Sequence, residues 1–270
     1  MRLKDDTAKE ERIGRLDLAR WSTRLGGWLA GLADAFAVRF SARAVLWITA
    51  GIGAALVIAL TAGGAEVYEA VEEGDGIAGL DRPVLDAAIG WRTAAANIVV
   101  TAFTQLGGMI GMTIIALTIT TIMVVRWRSR TPLVLMVIAA AGSLAMTSVG
   151  KLVVGRVRPP TSDAIPPFEY SPSFPSGHTL NSTVIAGLVA YLLLRRLGSQ
   201  WARVLTVVVA AAWAIAMGLS RVYLGHHWLT DVMMGWLLGL AWLCVVITAH
   251  RLFLTARRER QRRTAAEVRP

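Results

Sequence analysis

Long apolar runs separated by short charged links set the pattern of this chain. Stretches at about 44–64, 108–126, 132–151, 178–195, 203–220 and 230–252 are almost free of charge. Each approaches the roughly 20 residues a helix needs to cross the hydrocarbon core of a bilayer. The pattern predicts an all-α, polytopic membrane protein with six transmembrane helices in a bundle. Residues 93–125 carry no charge and are too many for one straight crossing, and Gln105, Gly107 and Gly108 interrupt them. That predicts a helix over 83–104 near the outer surface, then the second span at 108–126. Upstream, Leu18, Trp21, Leu25, Trp28, Leu29, Leu32 and Phe36 recur at helical steps, with Arg20, Arg24 and Arg39 flanking or opposing them. One apolar face of this kind predicts an amphipathic helix lying in the cytosolic interface; the plainer alternative packs it on the bundle. Residues before about Asp17 are polar and expected to be mobile. The expected organisation is a cytosolic N-terminal segment (1–43), a six-span domain (44–252) and a basic cytosolic tail (253–270). No internal repeat is visible.

Composition narrows the class further. Hydrophobic residues make up 55% of the 270 and mean hydropathy is +0.54, too apolar for an ordinary soluble domain. Cys244 is the single cysteine, so no disulfide forms within the chain. The charged first forty residues lack the apolar core of a cleaved signal, and the run from Ala44 is expected to act as an uncleaved anchor. A net charge of +10 invites a nucleic-acid reading, but the cations gather at the termini and in alternate links. Arg126, Arg128 and Arg130 follow span two, Arg195, Arg196 and Arg203 separate spans four and five, and Arg257 to Arg263 follow span six. Such links belong in the cytosol, where they also meet anionic headgroups. No nucleic-acid partner is expected. The 65–92 link, with Glu66, Glu69, Glu72, Glu73, Asp75, Asp81 and Asp86 against Arg82 and Arg92, belongs outside. By parity so do the links at 152–177 and 221–229.

Those two outer links break the charge rule, and there the candidate chemistry lies. Three segments stand out: Lys151-Leu-Val-Val-Gly-Arg-Val-Arg158-Pro159, Pro175-Ser176-Gly177-His178, and Ser220-Arg221 followed by His226, His227 and Asp231. Ionisable groups at the ends of membrane spans are candidate functional residues. For Arg156 alone, snorkelling to headgroups is the simpler reading. Arg158 and Arg221 offer forked hydrogen bonds to an oxyanion and Lys151 a point charge. A helix starting at Gly177 aims amide groups and its positive dipole end at an anion, and Ser176 can cap that helix, donate its hydroxyl to phosphate, or do both. His227 and Asp231, four apart, share a helix face, and a carboxylate on one imidazole nitrogen leaves the other basic. His226, five from Asp231, turns off that face and is the lesser candidate. His250 falls near the cytosolic end of span six and reads as an interfacial histidine. A zinc site built from His178, His226, His227 and Asp231 is conceivable by residue type, but the surrounding cations repel a metal and attract an anion, so no metal or other cofactor is expected. The segment 159–174, rich in proline and aromatics, predicts a stiff, irregular loop over the site, either shaping a lipid entrance or simply connecting two spans.

These segments, in this order and spacing, resemble the signature of the type 2 phosphatidic acid phosphatase superfamily, which also holds the vanadium haloperoxidases. The resemblance runs from about Ala44 to Leu252. It implies a lipid phosphatase in which His227 attacks phosphorus to form a phosphohistidine, Asp231 supports it, and His178 protonates the leaving oxygen. It further implies that Lys151, Arg158, Ser176, Gly177 and Arg221 bind phosphate. The implied partner is a membrane lipid phosphate: a polyprenyl diphosphate, phosphatidic acid or phosphatidylglycerophosphate. A phosphotransferase of the same chemistry, a vanadate-dependent haloperoxidase and an anion transporter are the alternatives. The many spans argue against the haloperoxidase, and a paired His227–Asp231 has no purpose in the transporter.

Overall fold

A computed structural model describes residues 12–13, 16–17 and 42–267. The amphipathic helix expected over 18–36 lies outside the described residues. Arg12–Ile13 pairs with Leu16–Asp17 in a minimal antiparallel ladder. Most of the rest is helical: α1 (Ala42–Glu73), α2 (Asp81–Gly90), α3 (Ala94–Gln105), α4 (Met109–Trp127), α5 (Thr131–Val154), α6 (Gly177–Leu194), α7 (Gln200–Tyr223) and α8 (Leu229–Glu267).

Six of these, α1 and α4 to α8, are long and apolar enough to cross a membrane, and the chain is a multi-pass membrane protein. Large apolar side chains such as Trp47, Ile58, Ile114, Val137 and Val208 are exposed on the outside of the bundle, as expected where the surrounding solvent is lipid. Helices cover all six expected spans, four of them with longer ends. α1 runs on through the acidic stretch to Glu73, until Gly74 and Gly76 take positive φ. α8 continues past 252 into the basic tail as far as Glu267.

The single outer helix expected over 83–104 is instead two. The chain breaks at Trp91–Thr93 because Arg92 turns inward, donating to the Tyr223 and Asp163 carbonyls, while Thr93 caps the next helix by accepting from the Ala96 amide. Apolar periodicity runs through the break, so it carries no signal there.

The core lies around α6 and α8. Half of the apolar stretch of α6 is buried, and α8 packs against α1, α5, α6 and α7. Leu180, Val184 and Leu188 of α6 meet Leu135, Met136 and Ala139 of α5 and Leu243 and Val246 of α8. α6 and α8 approach closely through Gly235 and Gly239. A Cβ at Gly235 would sit 2.9 Å from Thr179 Cβ and 3.0 Å from the Ser176 carbonyl oxygen. Glycine at a four-residue interval on a membrane helix permits backbone approach of this kind. Because the Ser176 carbonyl is backbone and cannot give way, Gly235→Ala is expected to destabilise the protein by about 1–3 kcal/mol, read as a lower unfolding temperature in detergent. The same contact fixes the start of α6 against α8, which is what the site requires.

Candidate active site

The ends of four helices and one loop meet at one end of the bundle. α5 ends at Val154, where Gly155 takes a left-handed conformation (φ 61°) and returns its amide to the Lys151 carbonyl. This termination releases an irregular strap, residues 155–176, with one short 3₁₀ turn at Thr161–Asp163. The strap is tied down along its length. Ile165 N donates to Leu224 O, Ser173 N to Arg156 O and Ser176 N to Asp231 O, Arg82 pairs with Asp163, and Phe174 packs with Val67 and Met234. The loop is irregular, as expected, and its tip carries a chemical group that the sequence did not flag.

That group is Glu169. Its carboxylate bridges Arg158, at 2.9 Å, and Arg221. Burial raises its pKa, but Arg221 and Arg158 outweigh burial and draw it down to about 2. Arg221 is almost fully buried; it donates to Thr104 Oγ1 at 3.0 Å, and its Nε has no acceptor among the described residues. Arg158 Nε donates to Ser171 O at 2.6 Å and one Nη to His226 O at 2.6 Å. Lys151 Nζ reaches Ser171 Oγ at 3.0 Å and the Pro172 carbonyl. Three cations thus converge on one side of the loop, and the anion that two of them, Arg158 and Arg221, hold here is a carboxylate of the chain itself.

His227 sits beside this clamp with 1% of its surface exposed. Its Nε2 is 3.2 Å from Arg158 Nη1, and its Nδ1 is 3.3 Å from Asp231 Oδ2 and 3.3 Å from Ser173 Oγ. Burial, then Arg158 and Arg221, holds its pKa well below the usual histidine range, so the imidazole is neutral. With Nδ1–H directed at Asp231, the lone pair of Nε2 faces the arginines. Asp231 is oriented from two sides. Oδ2 accepts from the Trp228 amide at 2.9 Å and from Ser173, while Oδ1 accepts from Arg156 at 2.7 Å. The Trp228 bond is a capping interaction, in which the third residue of a helix reaches back to the amide preceding it.

The remaining candidates fall as follows. His178, in the first turn of α6, lies within electrostatic range of Arg221 and Glu169, and its Nε2 would be 3.4 Å from a Cβ on Gly108. Gly177 packs on Thr147 of α5, where a Cβ would sit at 2.9 Å. The Ser176 hydroxyl makes no capping bond and instead accepts from Thr179 Oγ1 at 2.9 Å, leaving its own hydrogen free to donate. Ser176's amide is engaged by Asp231 O, while those of Gly177, His178 and Thr179 donate to no described residue. His226 is the loop's anchor: its Nε2 binds Ile165 O at 2.7 Å, and burial, then Arg221, lowers its pKa to about 4. His250, read from sequence as interfacial, is buried just past the middle of α8 with Nδ1 2.9 Å from the Tyr191 hydroxyl.

Arg156 corrects the sequence reading most. It does not snorkel but joins Asp81 at 2.6 Å to Asp231 at 2.7 Å, with only 17% of its side chain exposed. Its alternation with Arg158 in the same short segment was the available signal. Asp81, Thr104, Glu169 and Ser173 had none beyond being polar, since their partners are fixed only by the fold.

Residues 132–254, from α5 into α8, match the PAP2 superfamily. Over this region, a little under half of its length, the chain is similar to that superfamily. The matched region carries every candidate residue just described except those supplied by α2 and α3. Among curated proteins, phosphatidylglycerophosphatase B of Bacillus subtilis is 36% identical over 107 residues, 39% of this chain and 52% of that protein. An undecaprenyl-diphosphatase of Sulfolobus acidocaldarius is 34% identical over 131 residues, 46% of this chain and 58% of that protein. The chain therefore aligns with little more than half the length of these relatives. The crystal structure of a transmembrane PAP2-type phosphatidylglycerolphosphate phosphatase from Bacillus subtilis superposes with a TM-score of 0.66. It is 27% identical and covers 72% of this chain and 96% of its own. Aquifex aeolicus LpxE, at 20% identity and a TM-score of 0.50, shares the fold.

Proposed function

We propose that this protein is an integral-membrane lipid phosphatase that hydrolyses a phosphate monoester or diphosphate through a phosphohistidine on His227, without a metal. One observation carries the reading: the free nitrogen of a neutral, carboxylate-supported histidine lies 3.2 Å from an arginine that already grips an anion. A phosphate taking the place of the Glu169 carboxylate would meet Arg158 and Arg221 through its equatorial oxygens, with Lys151 beside Arg158 and the spare amides at the start of α6 available to it. His227 Nε2 then attacks phosphorus, and the imidazolium formed is stabilised by Asp231. His178 donates a proton to the leaving oxygen and afterwards takes one from the attacking water. Ser176 and Gly177 contribute a hydroxyl and an amide to the same oxygens.

The substrate class follows from where this chemistry sits. The clamp lies at the level where spans end, so a lipid can keep its chains in the bilayer and extend its phosphate inward. Polyprenyl diphosphates, phosphatidic acid and phosphatidylglycerophosphate fit this geometry, and two of these types appear in the names of the relatives. The cation-rich links lie at the opposite end of the bundle; by the positive-inside rule both termini are cytosolic and the site faces outward, which favours a recycled polyprenyl diphosphate carrier.

The test is phosphate release from a panel of these lipids, with and without chelator, for wild type and His227→Ala. Release that is chelator-insensitive and lost in the variant is expected. No release from any lipid would refute the reading, chelator sensitivity would refute the metal-free mechanism, and a new phosphorylated acceptor in place of free phosphate would make the protein a transferase.

The resident anion supports a second expectation. Glu169→Gln removes the charge that competes with phosphate for two arginines. It should tighten competitive inhibition by orthophosphate or vanadate by about 10-fold, equivalent to about 1.4 kcal/mol. Inhibition constants for the variant and wild type check this, and weaker inhibition would show that Glu169 organises the clamp rather than fills it.

A further inference from the structure

Behind the candidate nucleophile lies a buried ion triad of which the reaction described above uses only Asp231. Asp231 has its full surface buried, and the side chains of Asp81 and Arg156 expose only 6% and 17%. Arg156 spans the two carboxylates, one Nη bonding Asp231 Oδ1 and Thr230 Oγ1, both at 2.7 Å, and the other bonding Asp81 Oδ2 at 2.6 Å. Asp81 also receives the amide and the hydroxyl of Thr230, at 2.9 and 2.7 Å. The Trp228 ring lies 5.8 Å from the guanidinium carbon. Removing charges from water to this extent is costly unless each is paired. A triad that anchors only a helix start would also not need to reach Oδ1 of the carboxylate that holds His227.

We propose that Arg156 and Asp81 are positioning residues for catalysis: Asp81, on α2, locks Arg156, and Arg156 fixes the plane of the Asp231 carboxylate that orients His227. The proposal rests on the phosphatase reading. Its physical ground is torsional. The terminal torsion of an aspartate is broad and has no steep preference of its own, so one well-placed donor on each oxygen decides its plane. Trp228 N and Ser173 hold Oδ2, and among the described residues Arg156 alone holds Oδ1. Tilting that plane moves the Nδ1–H···Oδ2 axis and with it the direction of the Nε2 lone pair. Arg156 touches neither the arginine clamp nor Glu169, so phosphate binding should not depend on it. Asp81 acts at one further remove, only through Arg156 and the Thr230 turn.

A double-mutant cycle in the full-length protein tests this, with kcat, KM and orthophosphate inhibition measured for Asp81→Asn, Arg156→Gln and the pair. Misplacement of a reacting group by about an ångström costs on the order of 100-fold. Arg156→Gln should lose roughly that in kcat, with KM and the phosphate inhibition constant within about 2-fold. Asp81→Asn should lose about 10-fold in kcat, and the double variant should match Arg156→Gln alone, since groups acting in series are not additive. Losses that multiply, a change confined to KM and phosphate binding, or unchanged kcat in both single variants would overturn the proposal. Should Arg156→Gln fail to fold, Arg156→Lys replaces it in the same cycle, because an ammonium cannot fork between the two carboxylates. A wild-type protein with no phosphate release would instead sink the phosphatase reading itself.

Discussion

His227→Ala is expected to lower phosphate release by about 10⁴-fold or more, the scale seen when a covalent nucleophile is removed from a preorganised site. The fold should survive. The partners that remain around Asp231 are Arg156, Ser173 and the Trp228 amide, so its charge is not left unpaired. Arg158 keeps Glu169, Ser171 and the His226 carbonyl. Lipid binding should therefore persist while turnover stops. The decisive measurement is quenching in alkaline denaturant after brief exposure to radiolabelled substrate: wild type should trap label in an acid-labile, base-stable linkage and His227→Ala should trap none. His226→Ala is the matched control. It removes the bond to Ile165 O and loosens the strap, yet should still trap label. If His226→Ala alone abolished trapping, the nucleophile would have been assigned to the wrong neighbour.

Why the two neighbouring histidines separate so cleanly shows what the sequence could carry. A spacing of four between His227 and Asp231 is local, and α8 begins two residues after His227, so helix geometry alone brings them together. The same holds for Lys151 near the end of α5 and His178 at the start of α6, each marked by the end of an apolar run. Arg156 and Glu169 were not legible in the same way. A lone arginine in an outer link is compatible with a headgroup contact, and only the approach of α2 to the first turn of α8 gives Arg156 its two carboxylates. Glu169 lies in a segment whose proline and aromatic content predicts irregularity but not direction, and its alignment on Arg158 and Arg221 depends on tethers from α1, α2, α8, the turn after α7 and the strap itself. The break at Trp91–Thr93 was hidden for a related reason. Its cause is the burial of Arg92 against Tyr223 and Asp163, a tertiary contact that overrides a continuous apolar pattern.

Asp231→Asn should be the second most damaging change, because the amide cannot satisfy both sides of the site. Oδ1 faces Arg156, which never gives up its protons, and Oδ2 faces the Trp228 amide and Nδ1–H of His227. An asparagine must place its NH₂ against one of these sets of donors. Turned toward His227, it drives the imidazole to the tautomer protonated on Nε2 and removes the lone pair that attacks phosphorus. Turned toward Arg156, it opposes a guanidinium and leaves His227 with a neutral acceptor that stabilises the imidazolium poorly. Either arrangement should lower kcat by about 10³–10⁴-fold, by analogy with the wrong-tautomer effect in hydrolases that use a histidine held by an aspartate. KM should change little, since the arginine clamp is untouched. Stability should fall as well, by about 1–3 kcal/mol, because Arg156 keeps Asp81 but loses its second charge partner in a buried setting. Unfolding temperature and kcat measured on one preparation separate the two effects. A variant with normal kcat and reduced stability would mean that Asp231 serves the fold and not the nucleophile.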